Sequence, residues 1–288
     1  MIGKPSRRDF FATAAAAAAM MKATATAQSM PIGEKTGRTD RHSAIRLGLA
    51  SYTLRNFDLD STIKMCKRLK LEHICLKSMH LPMNLPPDQL ALTAQKVRDA
   101  GLNLYACGVI YMKTASEVEK AFEYAKNAGV GMIIGAPALD LLDITEENIK
   151  KYNIKLAIHN HGPDNKLYPS PLSAYEVIQN RDKRFGLCVD IGHTQRLGLN
   201  PADEIKKLAD RVLDLHIKDV TESTEKGIPV EIGHGVIDIP AVLRTLLQIE
   251  YSGVASFEFE KDGDDPLPGL AESLGYVRGA MAALQDHK

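Results

Sequence analysis

Three observations predict a single-domain (β/α)8 TIM barrel over residues 45–288. Eight short β-rich runs alternate with amphipathic helical stretches, the span has the length such a closed barrel needs, and polar residues collect at the ends of the later strands. An open doubly wound sheet, the rival α/β architecture, would commonly carry Gly-x-Gly-x-x-Gly after its first strand, and none is present there.

The predicted strands fall at residues 47–52, 73–77, 103–109, 132–136, 156–161, 185–191, 212–218 and 254–260. Between them, Ile63, Met65 and Leu69 mark the apolar side of a first helix, and residues 87–100 form a second. Val118, Phe122 and Ala125 recur at helical spacing in the third, and the fourth is short, over 145–151. The remaining four centre near Tyr175, Ile205, Leu243 and Leu274, while Gly101, Gly129 and Gly253 close helices before the next strand.

The N-terminal segment reads differently. Ser6-Arg7-Arg8-Asp9-Phe10-Phe11 precedes an apolar run over 12–21, and Ala25-Thr26-Ala27 offers the small residues a signal peptidase reads. Residues 1–27 therefore resemble a twin-arginine signal peptide, with an exported, periplasmic location as the expectation. The bland alternative is a frayed Ala-rich helix. The apolar run is about a dozen residues, short of the ~20 that span a bilayer, so no stable membrane anchor is expected. Residues 28–44, polar and holding Pro31, Gly33 and Gly37, form a flexible linker.

Composition narrows the partners. The 36 Lys+Arg balance 36 Asp+Glu, so no global field favours polyphosphate, and nucleic acid is not an expected partner. Cys75, Cys107 and Cys188 sit inside apolar runs and no Cys-x-x-Cys occurs, which suits free buried thiols.

In a (β/α)8 barrel the chemistry stands at the carboxyl ends of the strands, so alternation decides which polar residues point inward. In the seventh strand Asp214, His216 and Lys218 share the inward face, and in the eighth Ser256, Glu258 and Glu260 do. The sixth delivers Asp190 beside Cys188, and the fifth His159 and His161. Four neighbouring strands thus bring His159, Asp190, His216 and Glu258 to one mouth. Four ionisable groups so confined repel or desolvate one another unless a cation joins them, and two imidazoles with two carboxylates suit a divalent Mn, Zn, Co or Fe ion. Taken singly, each could be a hydrogen-bonded core residue.

The runs Gly186-Leu187-Cys188-Val189-Asp190-Ile191-Gly192-His193, Leu215-His216-Ile217-Lys218-Asp219 and Ser256-Phe257-Glu258 resemble the xylose isomerase-like TIM barrels, the sugar phosphate isomerase/epimerase family. The resemblance covers the chain from about Ile45 onward. It implies a divalent metal held from strands five to eight, with Asp190, His216 and Glu258 in matching places. The sequence departs at strand five, where His159-Asn160-His161-Gly162 stands in place of the family's Glu-Asn-His-Gly, and again at Gly233-His234-Gly235.

The reaction implied is removal of a proton from carbon between a carbonyl and a hydroxyl, through an enediolate that a divalent ion stabilises. The expected function is a metal-dependent sugar isomerase or epimerase acting on a free sugar or sugar derivative. A lyase or hydratase on a keto-glycoside, and a non-catalytic exported sugar-binding barrel, are the alternatives. Candidate catalytic groups are Glu258, His161, His193 and Lys218; candidate substrate contacts are Lys77, Tyr52, His234 and Glu260. A small carbohydrate is the expected partner, and a homodimer a possible assembly.

Overall fold

The computed structural model describes residues 45–286. The segments expected to be a signal peptide (1–27) and a linker (28–44) lie outside the described residues.

Eight parallel strands close a barrel in the order β1 (Arg46–Ala50), β10 (Val254–Phe257), β7 (Val212–Ile217), β6 (Phe185–Asp190), β5 (Lys155–His159), β4 (Met132–Pro137), β3 (Asn103–Met112) and β2 (His73–Leu76). The (β/α)8 expectation holds. A two-stranded antiparallel ribbon, β8 (Asp219–Val220) with β9 (Pro229–Val230), is added after β7. The outer layer comprises α1 (Leu59–Arg68), α2 (Pro87–Asp99), α3 (Ala115–Ala128), α4 (Leu142–Tyr152), α5 (Pro171–Ile178), α6 (Ile191–Gln195), α7 (Pro201–Lys207), α8 (Ile239–Gln248) and α9 (Leu267–Asp286). None of the described helices is long and apolar enough to cross a membrane.

Two apolar layers follow from the strand alternation. The larger packs the outward strand residues, such as Leu187, Leu215 and Phe257, against the helices. The smaller fills the barrel with Cys75, Ala106, Met132, Ile134, Ala157 and Cys188. All four cysteines are free and buried, as expected.

Several elements depart from the sequence-based boundaries. Helix α4 runs Leu142–Tyr152, longer than the 145–151 expected, because a 3-10 turn over Leu139–Leu141 leads directly into it. The chain after β6 forms two short helices, since Asp190 caps α6 and Asn200 caps α7, accepting from the main-chain nitrogens of Ala202 and Asp203. Strand β3 continues to Met112 through a register shift at Gly108/Ile110, three residues beyond the expected end. Strand β5 stops at His159 and β10 at Phe257, two and three residues earlier than expected, because the next donors turn to other partners. His161 N donates to Tyr168 O, and Phe259 N to Thr53 Oγ1.

The loop over the β7 end is organised by one carboxylate. Asp219 Oδ1 accepts from the main-chain nitrogens of Val220 (2.9 Å) and Ile237 (3.1 Å), and Oδ2 from those of Gly233 (2.9 Å) and Gly235 (3.1 Å). A Cβ at Gly235 would collide with Asp219 Oδ1, so the close approach requires glycine there. Asp219 is fully buried, and removing it strands several N–H groups. Asp219→Ala is expected to cost about 2 kcal/mol or more in chemical denaturation, with new proteolytic cleavage over 221–237. Unchanged stability and cleavage would show that the loop is held by its other contacts.

Candidate metal centre

Each strand end contributes one group to the barrel mouth. His159 closes β5, Asp190 closes β6, His216 is next to last in β7, and Glu258 follows β10, where its N–H still donates to Ile217 O at 3.1 Å. All four are buried. One donor atom from each lies within 4.8 Å of every other. His159 Nε2 is 2.9 Å from His216 Nδ1, 3.5 Å from Asp190 Oδ2 and 3.9 Å from Glu258 Oε2; His216 Nδ1 is 3.2 Å from Glu258 Oε2. Bonds of ~2.0–2.2 Å from nitrogen or carboxylate to a zinc-like ion require donors to lie within about twice that distance of one another, as these measured pairs do.

Hydrogen bonding divides the Asp190 carboxylate. Its Oδ1 accepts from His193 N at 2.7 Å, capping α6, while the buried Oδ2 faces the other donors and the Lys218 ammonium. Asn160 fixes the same corner: its Oδ1 accepts from Asp190 N at 2.9 Å and its Nδ2 donates to Asp190 O at 3.3 Å. Two buried imidazoles and two buried carboxylates whose donor atoms converge form a mixed nitrogen and oxygen set that fits a divalent ion.

Lys218 reaches into this group. Its Nζ lies 3.0 Å from Asp190 Oδ2, 2.9 Å from Glu258 Oε2 and 3.2 Å from Glu260 Oε2, with the side chain 3% exposed. Burial alone would raise both the Asp190 and Glu258 carboxyls, but the Lys218 ammonium overrides it and holds them below their ordinary range. Lys218 itself is held well above the ordinary lysine value: burial opposes its charge, and the surrounding carboxylates outweigh burial.

The imidazoles split. Burial pushes His159 down to about 3, and His161 and His193 each to about 4. Burial also works against a charged His216, yet the Glu258 carboxylate beside it holds it above the ordinary value. His161 and His193 stack at the mouth with ring centroids 5.8 Å apart, and the His161 ring is 4.3 Å from that of His159.

Of the expected site residues, His159, His161, Asp190, His193, His216, Lys218, Glu258 and Glu260 come together. Gly192, His193, Lys218, Ile228, Pro229 and Glu260 line a cavity of about 250 Å³ under the β8/β9 ribbon. Tyr52 and Lys77 form a pair of their own, with Lys77 Nζ 4.2 Å from the Tyr52 ring centroid, where Ser51 Oγ accepts from Lys77 N and links the ends of β1 and β2. His234 is not brought to the cluster: its exposed imidazole pairs with Glu272 of α9 at 2.8 Å. The reason is the Asp219-centred loop, which turns Gly233 and Gly235 inward by their main chain and leaves the intervening side chain outside.

Tyr111 was not singled out in the sequence. Its hydroxyl lies 2.6 Å from His161 Nε2, and its ring is 46% exposed at the mouth. The extension of β3 places it there, and no strand-end signal marked it. Asn160 was likewise visible only as part of the His-Asn-His-Gly run.

The comparisons agree with the barrel fold. The profile of the family described as xylose isomerase-like TIM barrel matches residues 57–280. An uncharacterised protein of Methanocaldococcus jannaschii is 31% identical over 125 residues, covering 41% of this chain and 40% of that protein. The chain thus aligns with less than half the length of the first curated relatives, 40% and 46%. The inosose isomerase of Bacillus subtilis (strain 168) is 24% identical over 72% of this chain and 85% of its own. A crystal structure of the IOLI protein with a bound zinc atom superposes with a TM-score of 0.67 at 19% identity, covering 83% of this chain and 97% of that one.

Protonation of the depressed imidazoles sets a pH dependence, His159, His161 and His193 at the centre and His73 and His80, both lowered by burial, elsewhere. Unfolded imidazoles bind protons near 6.5, while His159, His161 and His193 do so in the folded chain only near 3 to 4, so stability falls as pH drops from about 6.5. His216, held up by Glu258, and Asp214, raised to about 6 mainly by burial, act in the opposite direction but are fewer. The melting midpoint of the metal-free protein is expected to fall between pH 7 and 5, and His193→Gln to flatten that slope. A midpoint that holds or rises towards pH 5 would show that these rings are not kept neutral. With its strands closed into a barrel and this donor set at their carboxyl ends, the chain belongs to the xylose isomerase-like TIM barrel family.

Proposed function

We propose that the protein is a divalent-metal-dependent isomerase or epimerase acting on a free sugar or sugar derivative that carries a hydroxyl beside a carbonyl. The convergence of His159, Asp190, His216 and Glu258 donors within 4.8 Å at the carboxyl end of the barrel carries this reading. The family's content and the inosose isomerase relative, whose name denotes a keto-polyol substrate, support the substrate class.

Those four residues would hold the ion, which when bound supplies Lewis-acid polarisation of neighbouring substrate oxygens and eases loss of the proton between them. Glu258, held ionised by Lys218, is an acceptor for that proton. His161 is neutral near pH 7 and lies at the half-exposed rim, where Tyr111 fixes its Nε2, so it can return or relay a proton. Lys218 and the cavity beside it can receive oxygen atoms that gain negative charge. Tyr52 and Lys77 offer a ring face and a cation to a substrate hydroxyl.

The lyase or hydratase alternative keeps one specific support. His159 stands where the family pattern has Glu, which removes one of two matched carboxylate bases. Elimination needs a base and an acid for the leaving oxygen, roles that Glu258 and His161 can take without a second carboxylate. Export through the twin-arginine-like leader is part of the proposal, and would place the protein among free sugars and keto-glycosides.

The test begins with metal content. Protein purified without chelator is expected to hold about one divalent ion per chain, and a His216→Ala/Glu258→Gln variant little. With inosose and other keto-sugars in deuterated solvent, the parent should exchange the carbon-bound proton. His161→Gln should slow exchange by about 10²–10⁴-fold with metal content unchanged. Metal absent from the parent even after incubation with Mn²⁺, Co²⁺ or Zn²⁺ would sink the reading. Metal without exchange on any keto-sugar would leave a binding barrel.

A further inference from the structure

Beneath the donor cluster the barrel holds a second buried carboxylate that the reaction above does not use. Asp214 lies on β7 two residues before His216, on the same inward face, and is fully buried. In the strand register Asp214 pairs with Cys188, and the next inward pair along the strands is Asp190 with His216. Asp214 Oδ1 accepts from the Tyr105 hydroxyl at 3.0 Å, and Oδ2 from the Cys188 thiol at 3.3 Å. Tyr105 is held in turn by Ser256 Oγ at 2.7 Å. Both recorded donors are neutral, and a carboxylate with about four acceptor sites keeps capacity for more.

His216 supplies what is missing. Its Nδ1 faces the cluster, 2.9 Å from His159 Nε2 and 3.2 Å from Glu258 Oε2. Its Nε2 is buried without a hydrogen-bond partner and points down the barrel, 3.8 Å from Asp214 Oδ2. At 3.8 Å the pair stands about 0.6 Å beyond hydrogen-bond reach, a gap that a small ring shift or a bridging water closes, and Asp214 Oδ2 keeps acceptor capacity beside the Cys188 thiol.

We propose that Asp214 is a positioning residue: from inside the barrel it holds His216 by the Nε2–H, so that Nδ1 is the nitrogen turned to the metal donors. Metal-ligating imidazoles commonly donate their other N–H to a carboxylate, which fixes tautomer and ring orientation and raises ligand basicity. Here the outer carboxylate comes from the ligand's own strand, one inward step below it. Tyr105 and Cys188 steady Asp214 from either side. The inference rests on the metal reading for its effect on affinity, but the tautomer of His216 is a property of the chain itself.

Two measurements test it. In the full-length protein, Asp214→Asn is expected to weaken Co²⁺ binding about 10–100-fold in a direct titration. Tyr105→Phe, which removes one neutral partner of Asp214 and leaves its carboxylate beside His216, should change affinity less than about 3-fold. Equal losses in the two variants would mean general loosening of the barrel and overturn the proposal; so would an unchanged affinity in Asp214→Asn. Nitrogen NMR of the zinc-loaded parent, which needs no variant to fold, should show His216 protonated at Nε2 and not at Nδ1. If the parent binds no ion, the metal reading fails on its own, and the metal-free spectrum at pH 8 decides this one. His216 protonated at Nε2 supports the proposal; a ring that carries its proton on Nδ1 alone overturns it.

Discussion

Two carboxylates buried side by side at the end of a barrel constrain the rest of this molecule. Asp190 and Glu258 approach from opposite sides of β7, and neither can stay ionised there without positive charge. Lys218, which leaves β7 between them, places its ammonium against both and against Glu260. His216, on the same strand, sits against Glu258. One strand therefore carries both the cation and the imidazole that make its two neighbours' charges tolerable, which explains why successive inward residues His216 and Lys218 stand at the end of that strand.

The surrounding loops serve to keep those groups aimed. Asn160 clamps the main chain of Asp190, and His193 N takes one of its oxygens, so only Oδ2 is left for the cluster. Asp219, next in sequence to Lys218, gathers the chain that returns towards α8. Asn160 directly follows the donor His159, and Asp219 directly follows Lys218, so a small displacement at either reaches the cluster. Close-packed interiors transmit such displacements rather than absorb them.

The barrel and most of the centre were legible because both depend on period-two alternation, which sequence carries openly. Asp190, His216, Lys218 and Glu258 follow from which side of a strand each residue takes. Residues set by irregular backbone were not legible. Tyr111 reaches the mouth only because β3 extends through a register shift, and no apolar alternation encodes that extension. His234 looked like a site residue from its Gly-His-Gly setting, yet the glycines are there so that Asp219 can bind main-chain nitrogens, and the side chain is turned away. Strands β5 and β10 end earlier than their composition suggests because side-chain acceptors and turns compete for the next N–H groups.

The histidine at strand five can be understood through charge. Asp190, Glu258 and Glu260 contribute three negative charges around Lys218, and His159, pushed down by burial, contributes none. Lys218 with a divalent ion would bring that sum to zero. A glutamate at position 159 would leave it one unit negative in a buried site, where unbalanced charge is costly. Without an ion, the proton that Glu258 favours on His216 supplies part of the balance. An imidazole must be free of its Nδ1 proton to bind an ion through that atom, so the Glu258 carboxylate that favours this proton also makes metal affinity at His216 depend on pH.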